Sequence, residues 1–131
     1  MSNLFNVVSG SKEQLFKNAK QKLINKNYNE IYAHEAAHKN AAGAFGGSIH
    51  IVKNGDGIPV AGFVPISVPV VPNTKNPKIL DKVISQAKTV IKAAMAPSDP
   101  SKADFKVKAN AEAVIKQAEH KKQQKTINYI A

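Results

Sequence analysis

The chain has 131 residues, 43% of them hydrophobic, which is enough for one modest core and one domain spanning 1–131. It has no cysteine, which excludes disulfides and thiolate metal sites and leaves His, Asp and Glu as the available ligands. The formal charge of +10 comes entirely from lysine, and the missing guanidinium weakens any reading as a specific nucleic-acid binder.

The opening residues MSNLFNVVSGSKEQ lack the basic leader and long apolar stretch of a secretory signal, so the default expectation is a cytoplasmic protein with no membrane span. Ser11 is a fair N-cap for a first amphipathic helix over 11–26, with Leu15, Phe16, Ala19, Leu23 and Ile24 at helical spacing. Asn27 and Asn29 interrupt that pattern, and a second helix is expected over 28–42, stopped by Gly43. Residues 48–53 alternate as a strand, and Asn54-Gly55-Asp56-Gly57 is hairpin-turn chemistry. Residues 58–71 are apolar and β-branched but broken by Pro59, Pro65 and Pro69, which suits an edge strand or an extended loop. From Ile79 to Met95 an unbroken i, i+3, i+4 stripe predicts a helix packed along its whole length. Ser101 and Asp104 have the spacing of a capping box for a last helix, and the charged tail over 121–131 is expected to fray. The fold expected from this order is a small α+β domain.

The densest chemistry lies at His34, Glu35, Ala36, Ala37 and His38. On a helix, residues four apart share a face, so His34 and His38 can direct two imidazoles at one ion. Glu35 stands one step round the helix, where it can take a proton from the attacking water as general base. That is the arrangement of HExxH metallopeptidases. Zinc is the implied cofactor, and a peptide or protein the implied substrate. Helix, metal helix, hairpin, helix, helix is close to the minimal plan of such a zincin-like enzyme, in which the hairpin edge would serve as the substrate shelf.

Over roughly residues 31–118 the chain resembles the SprA-related family of bacterial proteins. The resemblance is carried by AHEAAHKNAAG, the hairpin with its Gly/Asp turn, VAGFVPISVPVVP and AAMAPSDPSKADFKVKANA. It implies a zinc-dependent, peptidase-like site with His34 and His38 as ligands and Glu35 as base. Where Phe63 stands, the family pattern carries a glutamate suited to be a third ligand, and phenylalanine cannot ligate zinc.

A catalytic zinc needs three protein ligands and an open position. His50 is the most economical replacement. With a two-residue Gly55-Asp56 loop, Ser48 faces Phe63 and His50 lies two residues along on the same side of the hairpin. A three-residue loop would reverse that parity. Asp104 and Glu112 are the other candidates, although the capping box accounts for Asp104 without a metal. Tyr28 and Tyr32 lie close enough in sequence to stabilise an oxyanion, while Glu119 and His120 read as solvated. Lys121, Lys122 and Lys125 form the one lysine cluster a polyanion could use. The expectation is therefore a zinc metallopeptidase with metal ligands His34, His38 and His50 and catalytic Glu35. A catalytically degenerate binder is the second reading, and a basic nucleic-acid-binding protein the third.

Overall fold

The computed structural model describes the backbone of residues 2–130 and the side chains of 11–124. It is a mixed α+β structure of three helices and one antiparallel hairpin. In chain order these are α1 (Ser2–Ala42), a single 3-10 turn (Gly43–Phe45), β1 (His50–Lys53), β2 (Pro59–Phe63), α2 (Pro77–Ala94) and α3 (Lys102–Ile130).

The core lies between α2 and α3. The predicted stripe of α2 buries Leu80, Val83, Ile84, Ala87 and Val90, and α3 answers with Ala111, Ala118, Val114 and Ile115. Alanines at the contact let the two helices approach closely, and each buried Leu or Val contributes about 1.5–3 kcal/mol. Asn76 caps α2, its side chain accepting from the Lys78 N–H at 3.0 Å, with Pro77 in the first turn.

Two expected helices are one. α1 runs unbroken through Asn27 and Asn29, because asparagine disfavours helix only weakly and Asn27 is put to tertiary use, donating to the Pro59 carbonyl at 2.9 Å. Farther toward the N-terminus, Leu15, Phe16 and Leu23 are exposed. The packed part is the C-terminal half, where Ile31, Glu35, His38 and Ala42 turn inward against β2 and α2. Most of the tail over 121–131, where fraying is expected, has side chains outside the described residues. α3 continues to Ile130, with Lys121 donating to the Pro72 carbonyl at 3.0 Å and Lys122 paired with Asp81. The side chain of Lys125 lies outside the described residues.

The hairpin loop has three residues rather than two. Asn54 N–H donates to the Ile58 carbonyl and Gly57 N–H to the Asn54 carbonyl, with Gly57 at φ 78° where only glycine sits without strain. By itself that loop would reverse the strand parity. A bulge restores it, since Lys53 pairs with Pro59 but Val52 pairs with Ala61, leaving Val60 as the extra residue. His50 consequently stands directly opposite Phe63, not two residues away from its partner position.

Candidate metal centre

Neighbouring residues of a strand point to opposite faces, and Gly62 shows which face of the hairpin meets α1. A Cβ on Gly62 would lie 2.5 Å from Ile31 Cγ2 and 3.0 Å from Glu35 Cγ, so only a bare backbone allows β2 to sit this close to the HEAAH turn. Ile51 pairs with Gly62 and shares that inner face. His50 and Phe63 therefore share the outer face, where their rings stack with centroids 4.6 Å apart and planes 10° from parallel. His50 as third metal ligand is thus a correction. The shared face is as expected, but it looks away from His34 and His38.

On α1 the two histidines lie one above the other, ring centroids 4.9 Å apart, with Glu35 beside them. His38 is 2% exposed and Glu35 6% exposed, an expensive placement for either group unless a partner compensates. Each imidazole is oriented through Nδ1. His38 Nδ1 donates to the Ala93 carbonyl at the end of α2, at 2.8 Å, and a carbonyl can only accept. His34 Nδ1 is 3.1 Å from Asp99 Oδ1, in the loop between α2 and α3. With Nδ1 of both rings engaged, each Nε2 faces inward.

Those nitrogens meet Asp104. Its Oδ1 is 3.1 Å from His38 Nε2 and its Oδ2 is 3.5 Å from His34 Nε2. The 3.1 Å approach is not aligned as a hydrogen bond, and His38 Nε2 is buried with no hydrogen-bond partner. A cation between them, or a proton on Nε2, would satisfy these atoms. Donors arranged tetrahedrally about 2.0–2.1 Å from one zinc stand roughly 3.4 Å from each other. Here His34, Glu35 and His38 each offer a ligand atom within 4.8 Å of the others, and the two Asp104 oxygens approach the two Nε2 atoms from across the gap. The residues present fit such an ion. The capping box forms as well: Asp104 Oδ2 accepts from Ser101 N–H at 2.8 Å, and Asp104 N–H donates to Ser101 Oγ at 3.1 Å. Asp104 thus starts α3 and faces the histidines with the same carboxylate.

Glu35 belongs to the same cluster, its Oε1 3.9 Å from His34 Nε2. Burial pushes its carboxyl above the ordinary value, opposed by His38 and His34, with a smaller upward push from Asp104. Glu112 points elsewhere, toward Lys108 at 4.0 Å. Tyr28 and Tyr32 stack on each other and are nearly half exposed, outside the cleft above the histidines. His120 contacts Gln124 on the exposed side of α3. Asp99 and the Ala93 carbonyl had no signal in the sequence, because neither belongs to a motif and only the chain path brings them to the imidazoles.

No curated protein and no solved structure matches the chain. The model of the SprA-related family matches residues 7–129, extending the likeness of residues 31–118 at both ends. With nearly the whole chain inside that match, the protein belongs to the SprA-related family.

Proposed function

We propose that the protein is a zinc-dependent hydrolase of peptide bonds with a zincin-like site. His34, His38 and Asp104 would hold the ion, and Glu35 would be the general base. The observation that carries this reading is the buried, unpartnered Nε2 of His38 facing Asp104 while its Nδ1 is fixed by Ala93. When bound, the ion would polarise the scissile carbonyl and acidify the attacking water.

The chain's own residues supply the rest. Ala93 and Asp99 would orient the two rings through Nδ1, leaving both Nε2 atoms aimed inward. Ser101 fixes Asp104 through the capping box. Glu35, its carboxyl raised by burial, takes the proton from the attacking water and passes it to the leaving amine. The open side of the site is a cleft between α1, β2 and the loop carrying Asp99, walled by Ile31, Ala61, Gly62 and Ser101. A substrate chain would enter there.

The test is metal analysis of protein purified without a histidine tag, followed by peptide hydrolysis. About one zinc per chain and cleavage that disappears in Glu35→Gln are expected. A chain that binds no zinc overturns the reading. Zinc-loaded protein inert toward a broad peptide library leaves the second reading, a binder that has lost turnover.

A further inference from the structure

The cleft over the histidines continues along α1. One stretch is lined by Glu30, Ile31, His34 and Glu35 opposite Ala61 and Gly62, and the next by Asn27, Glu30 and Ile31 opposite Pro59 and Val60. Glu30 and Ile31 belong to both, which makes one groove between the helix and β2.

Its charge is opposite to that of the molecule. Of nine acidic residues in the chain, Glu30, Glu35, Asp99 and Asp104 gather at this groove, and no lysine lines either stretch. Two of these charges belong to the site itself. A divalent ion between His34, His38 and Asp104 would be balanced by Asp104 and Glu35, leaving Glu30 and Asp99 as uncompensated negative charge beside the path of a substrate. Asp99 is tied to His34. Glu30 is exposed and makes no ion pair among the described residues. His34 and Glu35 line the cleft at this end of the groove and mark where the reacting group would be held.

Glu30 precedes His34 by one helical turn, about 6 Å along α1. An extended peptide advances about 3.3 Å per residue, so a chain lying in the groove brings its second residue from the metal centre beside Glu30. We infer that the groove selects peptides carrying a lysine or arginine about two residues from the bond over the metal centre, with Glu30 as the residue that recognises it. The inference rests on the peptide-hydrolase reading for its substrate class. The protein's overall positive charge works against a cationic ligand at long range, so the preference belongs to this groove rather than to the general field.

Binding to the zinc-loaded Glu35→Gln variant tests it, using fluorescence anisotropy of peptides identical except for lysine, glutamine or glutamate at one position. The lysine peptide binds about threefold to fivefold tighter than the glutamine peptide, the size of a partly exposed charge pair. Adding Glu30→Lys reverses the order of the lysine and glutamate peptides. Equal binding of the three, no binding of any, or a preference that survives Glu30→Lys overturns the inference. Cleavage by wild-type protein separates it from the reading beneath it. Turnover without basic preference leaves the hydrolase and removes the inference, whereas preferential binding without any turnover keeps the inference and removes the hydrolase.

Discussion

His38 Nε2 and Asp104 Oδ1 stand 3.1 Å apart across a buried gap with no hydrogen bond aligned between them. Because Asp104 also caps α3, its two roles have to be separated by substitution. Asp104→Asn keeps an oxygen for the Ser101 N–H but loses the charge, so zinc affinity falls by more than the roughly 10–100-fold typical of outer-shell changes. Ser101→Ala removes half of the cap and costs about 0.5–2 kcal/mol of stability while zinc stays bound. Competition with a chelating dye and thermal melts read the two effects. Wild-type zinc affinity in Asp104→Asn would exclude Asp104 as a ligand.

Asp99 touches the site only through His34 Nδ1, at 3.1 Å. Asp99→Asn is expected to weaken zinc binding by about 10–100-fold, the effect of losing an orienting carboxylate. His50→Ala is the control. Its ring stacks on Phe63 on the outer face, so zinc affinity in that variant stays at the wild-type value by the same dye assay.

Glu35 gives a pH signature in metal-free protein. Burial raises its carboxyl above the ordinary value, so the folded state binds the proton more tightly than the unfolded chain does. Stability from this group is full below the unfolded value and falls as pH rises through the folded one. Glu35→Gln removes that loss. The variant should melt at a higher temperature than wild type at neutral pH, and the difference should shrink as the solution is acidified below the ordinary carboxylate range. A constant difference across pH would contradict the buried-carboxylate account.

Gly62→Ala forces a methyl to within 2.5 Å of Ile31 Cγ2. Overpacking of this kind costs about 1–3 kcal/mol, and it should also loosen the hairpin from the HEAAH turn. Ile31→Ala in the same chain opens the space and recovers part of the loss. Denaturant melts of the four members of that double-mutant cycle measure the coupling, and simple additivity would show that the two residues do not press on each other.

What the sequence made legible followed from periodicity and caps. The α2 stripe, the Ser101–Asp104 capping box, the hairpin and the one-face placement of His34 and His38 are all local patterns. The errors arose where tertiary contact outweighs local preference. Asn27 breaks a pattern on paper, yet in the fold its amide is needed at Pro59. His50 was chosen by hairpin parity, and parity was right, but which face meets α1 is decided by the missing Cβ of Gly62. Asp104 had a sufficient explanation in its own cap. Nothing in the chain order reveals that Asp104, in the first turn of α3, reaches His34 and His38 near the C-terminal end of α1.

The extra residue at Val60 sets how the length of this chain can vary. Upstream of the bulge the strands pair in one phase and downstream in the other, so deleting Val60 would make Lys53–Pro59 and Val52–Ala61 consecutive pairs and straighten the strand, with Gly62 still opposite Ile51. Residues could be added beyond the loop tip, where Gly55 faces open space, without moving the glycine that admits the helix. A residue inserted between Ala61 and Gly62 is a different matter: it would put a side chain opposite Ile51, where Ile31 and Glu35 leave no room for a Cβ. Length variation in related chains should therefore gather at the tip and the bulge and spare the place of Gly62.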